Sequence, residues 1–452
     1  MINKDQKARR LFGTNGIRGV PNEDLTPEFC ADVGKAIGTV FQTRNIAMGR
    51  DTRVSGEMIW SAVESGILST GVSVTDLGIL PTPAIQYYCK VHGVYGVIIT
   101  ASHNPPKFNG IKCIDKDGTE LRRENEEEIE FTVEQREFRK AEGRNMGQRS
   151  FYPSAVEDYI EGIKKIITPE NVKKAAFRVA IDTGNGAAFR SSPELLTGLN
   201  CKVVTLNANP DGNFTSRNSE PKPENLGDLI ALMKTGKFDL GVAHDGDADR
   251  CVFVDENGNF VDGDRSLALI VKYFTSRGSK VVTPVSSSDT IEEVCNKNGA
   301  VLVKTKVGAP IVSRTMIKEK ALVGGEENGG IIYGRHQYCR DGAMAMALVL
   351  DLMAREKKKI SVLLEELPKH SMYKTSTELT EDWNEVRKRI LNKAGAEEID
   401  FTDGLKLYLR EGWVLARPSG TEPIMRVFAQ AKTEEKAREL AEFIIGIASP
   451  SP

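Results

Sequence analysis

Short apolar runs, polar turns and amphipathic stretches recur in the same order three times along the chain. Asn45 to Gly49 (NIAMG), Phe177 to Ile181 (FRVAI) and Lys280 to Val285 (KVVTPV) have the character of strands and lead into RDTRVSG, DTGNG and SSSDT. Helix-like stretches follow (EMIWSAVESGILSTG, AAFRSSPELLTGLN, IEEVCNKNG), then β-branched strands (VSVTDLG, CKVVTLN, AVLVKTKVG). A third apolar run ends each unit in a polar loop: GVIITASHNPP, LGVAHDGDADR and ALVGGEENGG. Strands alternating with helices predict mostly parallel β-α-β sheets, and ligands bind such sheets beyond the carboxyl ends of the strands. The three loops sit at such ends, so we read three similar domains lending one loop each to a shared site. Three unrelated α/β domains would give the same coarse pattern. From Tyr373 onward the pattern changes to YKTSTEL, a helical WNEVRKRILNKAG, a hairpin in LKLYLREGWVLARPSG turning at Glu411-Gly412, a strand IMRVFAQA and a final amphipathic helix EEKARELAEFIIGIA. The predicted fold is three similar mixed α/β domains around a central cleft, over residues 1–150, 151–252 and 253–368, plus a smaller C-terminal α+β domain over 369–452. The charged stretch from Arg122 predicts a solvated helix closing the first domain.

Composition narrows the function. The 452 residues exceed what one hydrophobic core holds. Lys plus Arg is 61 against 63 for Asp plus Glu, a net charge of −2, which excludes a chain-wide basic surface for nucleic acid. No apolar run is long enough to span a membrane, and MINKDQKARRLFG lacks the apolar segment of a signal peptide. Seven scattered cysteines without a C-x-x-C pair read as free thiols, which leads us to expect a cytoplasmic protein. Oligomeric state leaves no mark on the sequence.

Four loops carry candidate chemistry. Ser102, in Thr100-Ala101-Ser102-His103-Asn104-Pro105-Pro106 with Lys112 ten residues on, is placed to be a nucleophile or phosphate carrier, or a plain turn serine. Asp245, Asp247 and Asp249, in HDGDADR, repel one another unless they share a cation, and an all-oxygen set suits Mg²⁺. An EF-hand is excluded, because Arg250 stands where its glycine belongs and a strand precedes the loop. Glu326 and Asn328, in GGEENGG, are suited to sugar hydroxyls, with a Gly-rich turn as the alternative. Arg417-Pro418-Ser419-Gly420-Thr421-Glu422-Pro423 combines a guanidinium, two hydroxyls and a glycine-freed backbone, which makes either an anion nest for phosphate or a plain turn.

In their order and one per domain, TASHNPP, DGDADR, GEENGG and RPSGTEP resemble the motifs of the α-D-phosphohexomutase superfamily, from Leu11 to the last helix. The resemblance implies a phosphoserine at Ser102 and Mg²⁺ held by Asp245, Asp247 and Asp249 with that phosphate. It also implies sugar contacts from Glu326 and Asn328, and the non-reacting phosphate on Arg417, Ser419, Gly420 and Thr421. Arg18, His103, Lys112 and Arg250 match residues that assist phosphoryl transfer. A hexose 1,6-bisphosphate is then the intermediate. The opening LFGTNGIRG is similar to the phosphoglucosamine mutase subfamily, which predicts glucosamine 6-phosphate and glucosamine 1-phosphate as substrates. Phosphomannomutase or phosphoglucomutase activity is the alternative. Asn328, Gly330 and Ala309 stand where that subfamily has serine, histidine and aspartate, so we expect selection among hexoses to be relaxed. The rival functions are an aspartyl-phosphate phosphotransferase using Asp245 and Asp247, and a non-catalytic sugar-phosphate binder.

Overall fold

The computed structural model describes residues 10–13, 15–419 and 423–449. Each of the first three domains is built on a central strand with a parallel partner on either side. In the first, Asn45–Arg50 pairs with Ser73–Ile79 and Tyr95–Ile99. In the second, Arg178–Asp182 pairs with Lys202–Leu206 and Leu240–His244. In the third, Lys280–Pro284 pairs with Val301–Thr305 and Val323–Gly325. The chain then doubles back, and Asn109–Ile114, Cys251–Val254 and Ile331–Tyr333 run antiparallel to the third strand of each set. The sheets are therefore mixed, and each chemically distinctive loop joins a parallel strand to an antiparallel return. The loops thus project from the carboxyl end of the sheet, and the return strand pins both ends of each. The second sheet continues past residue 252 through Val254 and Phe260–Val261.

One apolar cluster runs through all three of these domains. Its centre is the helix Gly342–Glu356, where every residue from Gly342 to Met353 is buried. A helix apolar on all sides can only sit between layers, and each Leu or Met removed from water here contributes roughly 1.5–3 kcal/mol. Asp341 caps it, accepting from the Met344 amide at 2.9 Å, and also takes the Tyr159 hydroxyl from the second domain.

The last domain is one antiparallel sheet, with strands in the order Ser371–Glu378, Ile424–Ala431, Gly412–Pro418, Leu405–Leu409, Glu398–Asp400. Leu409 pairs directly with Gly412, so the expected hairpin turns at Arg410-Glu411. Helices Trp383–Lys393 and Glu434–Ala448 cover one face and close a separate core. The third domain meets this one where Val285 packs with Trp413 and Leu415, where the buried Lys406 ammonium lies over the Trp413 ring and donates to the Val285 carbonyl at 2.9 Å, and where Gln430 exchanges hydrogen bonds with Asp289. Among the described residues no helix is long and apolar enough to cross a membrane, and all seven cysteines are buried free thiols.

Candidate active site

Ser102 is buried and holds a backbone φ of 52°, in the left-handed region that serine seldom adopts. The conformation is imposed from behind by the RDTR turn. Arg53 donates to the carbonyls of Ser102, Asn104, Pro105 and Phe108 at 2.7–2.9 Å, and Asp51 holds Arg53 at 3.0 Å while accepting from the Thr100 hydroxyl at 2.6 Å. This buried clamp aims Ser102 Oγ at the second domain, where it donates to Asp245 Oδ2 at 3.0 Å.

The aspartate loop is fixed in the same way. Arg217 donates to the carbonyls of His244, Asn218 and Ser219 and is paired with Asp182 at 3.0 Å. Gly246 sits against the first loop, where a Cβ would stand 2.8 Å from the Ser102 carbonyl and 2.6 Å from Ser219 Oγ, so no side chain fits. Asp245, Asp247 and Asp249 are buried, with one oxygen of each within 4.8 Å of the others. Burial, then Asp249 and Asp247, push the Asp245 carboxyl well above the usual range. Burial pushes Asp247 the same way, but Lys112 at 2.9 Å and the Thr82 hydroxyl at 2.8 Å outweigh it and hold Asp247 below the usual range. Asp247 Oδ1 and Asp249 Oδ1 are buried without a hydrogen-bond partner among the described residues. Three close, water-deprived carboxylates with two open oxygens fit a hard divalent cation.

Cations ring this trio. Arg18 Nη1 donates to Asn104 Oδ1 at 2.9 Å, and Arg250 Nε lies 3.9 Å from both Asp245 and Asp249. Arg250 first, then burial, Arg18 and Arg340, hold His103 well below its usual pKa and therefore neutral. Nε of Arg18, Nε of Arg250 and Nδ1 of His103 are buried without partners among the described residues. Unpaired buried polar groups are costly, and here two guanidinium donors and an imidazole nitrogen cluster beside the carboxylates, the guanidinium pair in the pattern of an anion site.

In the third domain, Glu326 is buried and accepts from the Gly308 amide at 3.1 Å, while Asn328 Oδ1 accepts from the Gly330 amide at 3.1 Å. The structure adds Arg340, which the sequence did not single out because it lies outside the loop motif and reaches the site only through the fold. Its Nη1 donates to Glu326 at 2.9 Å and its Nη2 to Asp249. Glu120 was also missed. It is buried, its Oε2 has no partner among the described residues, and burial raises its pKa although Arg340 and Lys112 counter this. The fourth loop is reached through Asp403, which accepts from the Val307 amide at 3.0 Å and pairs with Arg417 Nε at 3.3 Å. Ser419 donates its amide to the Ile424 carbonyl at 2.8 Å, while Gly420 and Thr421 lie outside the described residues. The structure thus brings together the candidates from the first three loops, and ties Arg417 to them through Asp403 and the loop around Val307.

This arrangement of four domains has known counterparts. Family models described as phosphoglucomutase/phosphomannomutase match in sequence: alpha/beta/alpha domain I over residues 9–140, domain II over 157–258, domain III over 262–371 and the C-terminal domain over 364–447. A Thermococcus kodakarensis protein named phosphoglucomutase/phosphomannomutase is 43% identical over 443 residues, covering 96% of this chain and 97% of its own. A Sulfurisphaera tokodaii protein named phosphoglucosamine/phosphogalactosamine mutase is 42% identical over 442 residues, covering 95% and 97%. A crystal structure of a phosphoglucomutase/phosphomannomutase family protein from Burkholderia thailandensis superposes with a TM-score of 0.86 at 25% identity, covering 98% of each chain. Fold and site together define a phosphohexomutase, an isomerase that acts on sugar phosphates. The chain belongs to the phosphoglucomutase/phosphomannomutase family, within the α-D-phosphohexomutase superfamily.

Proposed function

We propose that the protein interconverts glucosamine 6-phosphate and glucosamine 1-phosphate, with Ser102 as phosphoryl carrier and a 1,6-bisphosphate intermediate. The observation that carries the chemistry is Ser102 Oγ, buried and aimed at Asp245 across the interface of the first two domains. From a phosphorylated Ser102, the P–Oγ bond breaks as the free sugar hydroxyl forms a new P–O bond. The hydroxyl gives up its proton to the unpaired Nδ1 of neutral His103, while the P–Oγ electron pair leaves on Ser102 Oγ, which takes up that proton to regain its hydroxyl. Arg18, Lys112 and Arg250 hold positive charge against the transferring group, which is where most phosphoryl-transfer catalysis arises. Asp245, Asp247 and Asp249 would hold Mg²⁺, which when bound adds a further positive charge at the same point. The bisphosphate then turns over and returns its other phosphate to Ser102. Glu326 and Asn328 face the sugar in both orientations, and Arg417, Ser419, Gly420 and Thr421 take the phosphate that is not reacting. Burial of Ser102 excludes the water that would hydrolyse the phosphoserine.

For the substrate, the LFGTNGIRG opening and the relative named phosphoglucosamine/phosphogalactosamine mutase support glucosamine. The second reading, glucose and mannose phosphates, draws support from the relative named phosphoglucomutase/phosphomannomutase. We expect glucosamine 1-phosphate to lead in kcat/KM among the 1-phosphates of glucosamine, glucose, mannose and N-acetylglucosamine, each assayed with its bisphosphate. Mannose or glucose 1-phosphate ahead by more than about tenfold, roughly 1.4 kcal/mol, overturns glucosamine in favour of the second reading.

A further inference from the structure

Arg340 is the one side chain that links the sugar loop to the aspartate loop through hydrogen bonds to both, among the described residues. It starts ten residues beyond Gly330, on the segment that leads into the buried helix Gly342–Glu356, and is itself buried. One prong of its guanidinium donates to Glu326 Oε2 at 2.9 Å and the other to Asp249 Oδ2. Each carboxylate has its second oxygen on a different task. Glu326 Oε1 takes the Gly308 amide, and Asp249 Oδ1 is left open beside Asp245 and Asp247. The side chain reaches this position by lying across Gly330, where a Cβ would stand only 2.3 Å from Arg340 Cδ. The glycine therefore serves as the floor on which the arginine rests.

We propose that Arg340 is a positioning residue that sets the sugar loop and the aspartate loop in register, so that the hydroxyl to be phosphorylated and the phosphoryl carrier meet at a fixed distance. The inference rests on the reading of Glu326 as a sugar contact and Asp249 as a metal ligand. A planar fork suits this role, because it fixes the separation and the angle of two carboxylates at once. A lysine ammonium is a single point charge that can neutralise both without orienting them. Glu326 and Asp249 belong to different domains; the far oxygen of Glu326 is held by the Gly308 amide, and that of Asp249 is open beside Asp245 and Asp247. Without the fork, each loop keeps its fold, and what is lost is their mutual placement.

The test uses the full-length protein and four variants beside the parent: Arg340→Ala, Arg340→Lys, Gly330→Ala, and the double variant Arg340→Ala with Gly330→Ala. Circular dichroism checks the fold, steady-state kinetics separates kcat from KM for the sugar phosphate, and titration calorimetry with Mg²⁺ alone measures metal affinity without turnover. Loss of a group that orients a ligand costs about 10–100-fold in affinity or activity. We expect Arg340→Ala to lose that much in kcat/KM and to bind Mg²⁺ more weakly. Gly330→Ala, which displaces the fork while every charge remains, should do the same. Arg340→Lys should recover less than half of the loss on a logarithmic scale, whereas full recovery by lysine would reduce Arg340 to a balancing charge and overturn the proposal. The double variant should be no worse than Arg340→Ala, since the atom that the new Cβ strikes is gone. A folded Arg340→Ala with kcat, KM and Mg²⁺ affinity within about twofold of the parent overturns it as well. If Arg340→Ala does not fold, Gly330→Ala decides on the same criteria. Asp249→Asn and Glu326→Gln run alongside: if both are silent, the site reading itself has failed and takes this inference with it. If they act while Arg340 and Gly330 variants are silent, the inference alone fails.

Discussion

Ser102 shows how one residue is prepared by its surroundings. Its left-handed backbone sits in a turn held by Arg53, which donates to the carbonyls of Ser102, Asn104, Pro105 and Phe108, and its hydroxyl donates to Asp245 Oδ2 at 3.0 Å. Intact-mass measurement of the purified protein should show a phosphorylated fraction that Ser102→Ala lacks, with kcat lowered by orders of magnitude. A phosphate mapped elsewhere, with the alanine variant still active, would refute the carrier role. The aspartates make a second prediction. Burial and its two neighbours press Asp245 towards its neutral form, so a cation is needed for all three to stay ionised. Treatment with a chelator should abolish turnover, and added Mg²⁺ should restore it. Asp247→Asn should weaken Mg²⁺ binding by about tenfold or more while circular dichroism stays unchanged. Full turnover in excess chelator would exclude the metal.

At the scale of elements, the helix Gly263–Phe274 carries an unusual first turn. Asp262 caps it, accepting from the Arg265 amide at 2.9 Å, and the next acid, Asp264, is buried behind it with one oxygen on the Ser288 amide at 3.1 Å and the other unpaired among the described residues. Burial raises the Asp264 carboxyl to about 7, with Asp262 and Glu327 adding to the rise and Lys374 from the last domain opposing it. Between roughly pH 4 and pH 7 the native protein therefore keeps a proton that the unfolded chain has released, so this group's contribution to stability falls as pH rises through that window. Asp264→Asn keeps the acceptor for Ser288 and cannot ionise. Its thermal midpoint should drop less than the parent's between about pH 5 and pH 8, and parallel curves for the two proteins would disprove the assignment. Among the elements, the mixed sheets were only half legible. The β-α-β alternation predicted the parallel strands, but the return strands follow the candidate loops with no helix between, and two of the three have only three or four residues. In Ile331–Tyr333 three buried residues have no alternation to read, because both faces of the strand are covered.

One apolar cluster joins the first three domains, the first also has a core of its own, and the fourth has a separate one. The first and third domains also meet through Arg314, on the helix Ala309–Glu319. It donates to Asp117 at 2.7 Å, to Asp115 at 3.1 Å and to the Glu120 carbonyl at 2.6 Å. The contact ties the segment that carries Glu120, near Arg340 and Lys112, to the third domain. Removing charged hydrogen bonds at a partly exposed site costs about 1–3 kcal/mol. Arg314→Ala should lower the thermal midpoint by a few degrees and raise KM for the sugar phosphate more than it lowers kcat. An unchanged midpoint and KM would show that the shared core alone holds the first domain against the third.

Loop chemistry was the most legible part of this protein, because acids spaced at alternate positions, glycines flanking acids and a proline-stiffened serine turn are local patterns whose cost requires a purpose. TASHNPP, HDGDADR and GGEENGG single out Ser102, the three aspartates and Glu326 as candidates without any structure. Their supports were not legible. Arg53 and Arg217 clamp loops that lie 49 and 27 residues away in sequence, from Ser102 and His244 respectively, and Arg340 joins Glu326 to an aspartate 91 residues earlier. A buried guanidinium looks like any surface arginine in a sequence, since nothing local says which carboxylates will close around it. The sequence alone therefore determined the class of chemistry and the sign of charge in each loop. Tertiary structure decided which loops meet, which side chains hold them, and that the empty position at Gly330 is where an arginine lies, because those outcomes depend on distances between residues far apart along the chain.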